Sequence, residues 1–174
     1  DDMTRATPVG SMIRVITDIL NTSGIRDSQI QILIATGTHR PMTPKEIQQR
    51  FDTDLMGRFD IQNHDYQTSN LIDLGVTDNG TPIAVNEKVL NADVVIGLSS
   101  IVPHHIPGYS GGSKIIQPGV SGEATTASTH MFSAVSDTQL LGMIESPVRH
   151  EMEEVALRAG LTAILNTTLN ARGQ

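Results

Sequence analysis

The chain has 174 residues, a net charge of −7, no cysteine and no tryptophan. That length supports one domain with its own core, and the acidic balance argues against nucleic acid as a partner. Without cysteine, disulfides and thiolate metal sites are excluded, and with aromatic residues at 3% of the chain the core must be built from aliphatic side chains.

No signal peptide or apolar run of membrane length is present, so a cytoplasmic protein with no membrane contact is expected. The opening Asp1-Asp2-Met3-Thr4-Arg5 reads as interior sequence, and the chain is expected to be a piece of a larger protein. Residues 8–22 carry Val9, Met12, Ile13, Val15, Ile16, Ile19 and Leu20 at helical spacing, with Gly24 as a stop. Ile30, Ile32, Leu33, Ile34 and Ala35 predict a buried strand. Thr43-Pro44-Lys45-Glu46 has the capping-box pattern with proline in the first turn, so a helix runs to about Phe51. Asp78-Asn79-Gly80 between two β-prone runs, 71–76 and 82–85, predicts a hairpin. Residues 92–98 form a second apolar strand. Ser121 is placed to cap a helix carrying Thr126 and His130, and Ser146-Pro147 starts another that ends near Gly160. Residues 161–165 make a last strand. The alternation predicts an α/β fold: a Rossmann-like, largely parallel sheet with flanking helices and one hairpin, residues 1–174 forming a single domain.

In such sheets ligands sit beyond the carboxyl ends of strands. Two loops leave those ends with polar chemistry. One is Thr36-Gly37-Thr38-His39-Arg40-Pro41. The other runs from Pro103 to Lys114 and holds His104, His105, Tyr109, Ser110, Gly111 and Gly112. Lys114 is one of three lysines in the chain, with Lys45 and Lys88. A solvated loop lysine is the ordinary reading. The loop is not a Walker A, because Ser113 precedes the lysine and Ile115 follows it, but glycines with a lysine suit an anionic, nucleotide-like ligand. His104 lies between Pro103 and Pro107, which stiffen it, and suits acid–base work. His105, its neighbour, is expected to point elsewhere and stay idle. His39 lies past the first strand, where a role is favoured over a local backbone contact. His130 reads either as a core histidine or as a metal ligand. His64 and His150 sit in polar contexts and are expected to be solvated. Asp2 and Arg5 reach one locus if Asp2 ends a strand, and Arg5 can grip a carboxylate in bidentate fashion.

Four places together resemble the nickel-pincer lactate racemase family. They are Asp-x-x-Arg at Asp2 to Arg5, Ala-Thr-Gly-Thr-His-Arg-Pro at 35–41, Pro-His followed by Gly-Tyr-Ser-Gly-Gly-x-Lys at 103–114, and His130. The resemblance covers the amino-terminal catalytic domain, without the family's first segment or its carboxy-terminal domain. It implies a nickel-pincer nucleotide, a pyridinium mononucleotide with two sulfur-bearing arms, bound covalently at Lys114 through a thioamide, with His130 as the nickel ligand. It implies His39 and His104 as the catalytic acid/bases, Arg5 at the substrate carboxylate, and Asp2, Tyr109, Ser110, Gly111 and Gly112 beside the cofactor. The implied reaction is racemisation or epimerisation of a 2-hydroxy acid such as lactate by reversible hydride transfer. The implied partners are that substrate, the carboxy-terminal domain and the proteins that synthesise the cofactor; the fragment alone is expected to be inactive. Read without the resemblance, the same residues leave open a zinc-dependent hydrolase using His39, His104 and His130, or a non-catalytic nucleotide-binding module built on the glycine loop.

Overall fold

The computed structural model describes residues 1–68, 70–135 and 139–170. Helix α1 (Val9–Thr22) turns Val9, Met12, Ile13 and Thr17 inward. Val15 and Ile19, read as part of the same stripe, instead face solvent at 56% and 59% exposure. Strand β1 (Gln31–Ile34) pairs in parallel with β2 (Asp60–Asn63). Between them lie α2 (Pro44–Arg50) and α3 (Thr53–Arg58). The capping box of α2 forms as expected: the Thr43 hydroxyl accepts from the Glu46 N–H at 3.3 Å, and the Glu46 carboxylate accepts from the Thr43 N–H at 2.8 Å. The sequence reading missed α3, which Asp52 caps by accepting from the Leu55 N–H. These elements close over one core cluster that includes Ile13, Ile34, Phe51, Leu55 and Phe59.

The expected hairpin is β3 (Leu71–Val76) with β4 (Pro82–Asn86). One further turn of helix, α4 (Glu87–Leu90), leads to β5 (Val95–Ser100). A second, two-residue hairpin follows, β6 (Pro103–His104) with β7 (Gly108–Tyr109), and then a 3-10 turn over Gly112–Ile115 that carries Lys114. Next come α5 (Glu123–Ala134), α6 (Pro147–Arg158) and β8 (Leu161–Thr167), which pairs with β5 in parallel. The α/β class with parallel strands is as read from the sequence. The described strands form two parallel pairs and two antiparallel hairpins, where one longer ladder and one hairpin were expected.

Ser146 caps α6 by accepting from the Arg149 N–H at 3.1 Å. Ser121 does not cap α5: the capping position is Gly122, and the Ser121 hydroxyl donates to the Ile116 carbonyl. Gly97 in β5 has a packing reason, since a Cβ there would lie 2.6 Å from Ile115 Cγ2. Its missing side chain lets the lysine-bearing turn lie down on the strand.

His64 corrects the sequence reading. It is 2% exposed, not solvated. Its Nε2 donates to the Ser121 carbonyl at 3.0 Å and its Nδ1 accepts from the Asn86 amide at 3.1 Å. Its backbone N–H reaches the Ile34 carbonyl, so backbone and ring together fasten the end of β1 to the end of β4. His150 is exposed, as expected.

Candidate active site

β1 ends at Ile34 and the chain runs through Thr36, Gly37 and Thr38 to His39; β5 ends at Ser100 and runs to His104. Asp1 and Asp2 lie between these two exits. The Asp1 carboxylate accepts from the Thr7 hydroxyl at 2.6 Å, the Ser99 hydroxyl at 2.9 Å and the Ser100 N–H at 3.3 Å, which ties it to the end of β5. Asp2 Oδ2 meets His39 Nδ1 at 2.7 Å, while its Oδ1 accepts from the Thr4 N–H and hydroxyl at 2.9 and 2.6 Å. The acidic pair therefore links the loop after β1 to the end of β5. The condition set for Asp2 and Arg5 to share a locus, that Asp2 ends a strand, is not met, since no strand is formed there.

Burial works against the charge on Asp2, but the hydrogen bonds from Thr4 and His39 outweigh it and hold the pKa below the usual carboxylate value. An ionised Asp2 can only accept, so His39 Nδ1 carries the proton and donates. In the neutral ring the lone pair is then on Nε2, on a side chain that is 60% exposed. His39 is thus presented as a proton acceptor.

His104 is prepared in the opposite sense. Its Nδ1 accepts from the Ile106 N–H at 3.1 Å, so the neutral ring carries its proton on Nε2. Burial, followed by the charges of Lys114, His105, Arg5 and His130, pushes its pKa down to about 3. His105 does not turn away as expected. The two rings stack, with centroids 4.8 Å apart and planes 10° from parallel.

Lys114 is partly buried; its backbone N–H donates to the Gly111 carbonyl, while its amine has no hydrogen-bond partner among the described residues. Burial and then the charge of Arg5 lower its pKa to about 8, against the pull of Asp2. Burial also lowers the pKa of His130 on α5, with Lys114, His105 and His39 adding to the effect. Electrostatic influence thus links Arg5, Asp2, His39, His104, Lys114 and His130, with the His39–Asp2 hydrogen bond as the direct contact among them. The turn before the lysine depends on glycine: Gly111 has φ +77° and ψ −173°, a region essentially closed to other residues. A Cβ on it would lie 3.1 Å from Asn166 Oδ1 and from Ile101 Cγ1. Tyr109, Gly111 and Gly112 flank this turn. The Ser110 side chain is committed elsewhere, its hydroxyl donating to the Ser100 carbonyl at 2.7 Å and accepting from the Val102 N–H at 2.9 Å.

Among the described residues no three His, Asp or Glu side chains are disposed to hold a metal ion together. The zinc reading of His39, His104 and His130 therefore lacks its ligand set. Sequence reasoning missed Asp1, which carries no motif signal apart from its place beside Asp2, and Arg149, which flanks the apolar stripe of α6. Among the described residues no helix is long and apolar enough to cross a membrane.

Residues 1–142 match the family model described as the lactate racemase N-terminal domain. The chain belongs to the lactate racemase N-terminal domain family. It is 28% identical over 173 residues to the lactate racemase of Thermoanaerobacterium thermosaccharolyticum, covering 98% of this chain and 40% of that protein. It is 28% identical over 147 residues to the lactate racemase of Lactiplantibacillus plantarum, covering 83% of this chain and 35% of that one. The structure of the lactate racemase apoprotein from T. thermosaccharolyticum superposes with a TM-score of 0.92 at 28% identity, over 99% of this chain and 42% of that one. A crystal structure of a Thermotoga maritima protein superposes at 0.82 with 23% identity, over 98% of this chain and 45% of that one, a likeness of fold. The chain thus spans 40% and 35% of the length of the two curated relatives.

Proposed function

We propose that this chain is the amino-terminal catalytic part of a cytoplasmic enzyme that racemises or epimerises a 2-hydroxy acid such as lactate. The observation that carries the reading is the gathering of two oppositely prepared histidines, an arginine and a partly buried lysine at the exits of β1 and β5, in a chain of the lactate racemase family.

Arg5 holds the substrate carboxylate with its guanidinium fork. His39 takes the hydroxyl proton on Nε2, and Asp2 keeps the ring oriented and stabilises the imidazolium that forms. His104 presents Nε2–H to the substrate oxygen on its side of the site. For His104 to act as the base, its proton must sit on Nδ1, which requires the ring to leave the Ile106 N–H.

The residues present fit a nickel-pincer nucleotide. Lys114 offers an amine with a depressed pKa and no competing acceptor, His130 offers one imidazole for nickel, and the backbone at Gly111 and Gly112, with Tyr109 and Asp2 nearby, forms the surface beside it. When bound, that group supplies a carbon able to accept hydride from the substrate Cα and return it. Proteins that synthesise the cofactor and the carboxy-terminal part of the enzyme are the partners this reading requires.

The test uses the full-length protein produced together with cofactor-synthesis proteins. L-lactate and other 2-hydroxy acids are followed by chiral chromatography, and the peptide containing Lys114 is examined by mass spectrometry. Interconversion with an adduct on Lys114 is expected, and His39→Ala should abolish interconversion while keeping the adduct. A protein that carries the adduct and racemises none of the acids refutes the reading.

A further inference from the structure

Arg149 lies beyond the residues matched by the family model, on the first turns of α6. It is 9% exposed. Its guanidinium donates to the carbonyls of Tyr109 and Gly111 and to the Ser113 hydroxyl; the contacts to Gly111 and Ser113 are both 3.3 Å. Among the described residues no carboxylate forms an ion pair with it. A buried guanidinium with no acidic partner is costly unless its donors are well filled. Here they are filled by three oxygens within five consecutive residues, the segment that ends one position before Lys114.

We infer that Arg149 is a positioning residue that braces the glycine turn and so fixes where the Lys114 amine sits. A guanidinium suits this task because its planar fork presents several donors in fixed directions, which an ammonium cannot do. The opposite side of the turn is closed by Asn166 on β8, whose Oδ1 lies 3.5 Å from the Gly112 N–H and against the space a Gly111 side chain would need. The lysine turn is therefore shaped by α6 and β8 as well as by its own glycines. The inference rests on the reading of Lys114 as the cofactor tether, and its test reads the lysine directly without any racemase assay.

The full chain is trace-acetylated across a pH series, and each lysine is quantified by peptide mass spectrometry. Lys45 and Lys88 serve as internal references. The charged and titratable groups that bear on Lys114 are Arg5, Asp2 and Arg149, with His104 and His130 beside it. In the wild-type chain Lys114 should label with a midpoint near 8. Arg149→Met should move the midpoint upward, toward the ordinary lysine range, as the turn loosens and the amine becomes solvated. Removal of the charge alone would raise it too, so Arg149→Lys is decisive: it keeps the charge, loses the fork and should also shift upward. Millimolar guanidinium should return the Arg149→Ala midpoint toward the wild-type value. A wild-type midpoint in Arg149→Lys, or no guanidinium rescue, overturns the inference. If Arg149→Met or Arg149→Ala fails to fold, Arg149→Lys and Ser113→Ala carry the test. Ser113→Ala should shift the midpoint in the same direction by less, and no shift in either overturns the brace. Failure of lactate racemisation with these labelling results intact would count against the function and not against the brace.

Discussion

The buried histidine offers a test of the fold that needs no cofactor. In His64→Leu, the Ser121 carbonyl loses its donor and the Asn86 amide loses its acceptor, and both residues are buried. Each orphaned group costs about 1–3 kcal/mol. Leucine fills a similar volume, so the net loss at neutral pH should be about 3–4 kcal/mol, a large share of the roughly 5–15 kcal/mol typical of a domain. Burial lowers the folded-state pKa of His64 below its ordinary value. As pH falls through about 6.5 the unfolded chain therefore takes up a proton that the folded chain refuses, and the stability His64 contributes is lost as pH falls. The gap between wild type and His64→Leu should be widest above pH 7. It should narrow below about pH 6, at up to about 1.4 kcal/mol per pH unit. His104 and His130 are shifted in the same direction but occur in both proteins, so they largely cancel in the difference. Urea unfolding across a pH series measures this. A gap that stays constant from neutral to acidic pH, or a variant as stable as wild type, would refute the reasoning.

Two further outcomes follow from the site. Asp2→Asn in the cofactor-loaded full-length protein should lower kcat by about 10²–10⁴, because an amide neither selects the Nδ1–H tautomer of His39 nor stabilises its imidazolium; steady-state kinetics with an unchanged melting temperature check this. Long-range proton–nitrogen NMR of the histidine rings should find His39 protonated on Nδ1 and His104 on Nε2, and finding the same tautomer in both would remove the basis for their different roles.

The site was more legible in the sequence than its supports. His39, His104 and Lys114 stand in motifs whose glycines and prolines mark unusual backbone, and strand-end placement is a fold-level rule that needs no contacts; His130, on α5, was singled out by the resemblance. The strand β2 could not be read, because Asp60-Ile61-Gln62-Asn63 carries one apolar residue and is a strand through its pairing with β1. α3 is six residues long, too short for periodicity to declare it. His64 looked solvated because Asn63 and Asp65 flank it, yet its partners, Asn86 and Ser121, lie 22 and 57 residues away. Arg149 failed in the same way: a basic residue beside an apolar helical stripe usually reaches solvent. Only the return of α6 over the glycine turn, 36 to 40 residues earlier in the chain, turns it inward.

The two histidines also differ in what holds them, and this bears on the proposed racemisation. His39 is steered by a side chain whose charge persists whichever way the proton moves. His104 is steered by a main-chain N–H, which can only donate and so disfavours a proton on Nδ1. The fall of the His104 pKa to about 3 has the same sense: burial is its largest cause, and the cations Lys114 and Arg5 add to it. The part of that penalty owed to Lys114 depends on its amine being charged. Acylation of the amine would remove the largest of the charge effects on His104, and a substrate carboxylate on Arg5 would offset another. Both changes raise the His104 pKa toward the range where it can take and return a proton. Burial, the largest cause of the low basicity of His104, would remain. On the proposed reading, modification of Lys114 and binding of an anion at Arg5 would lift part of the penalty on His104, as a histidine that must both take and return a proton requires.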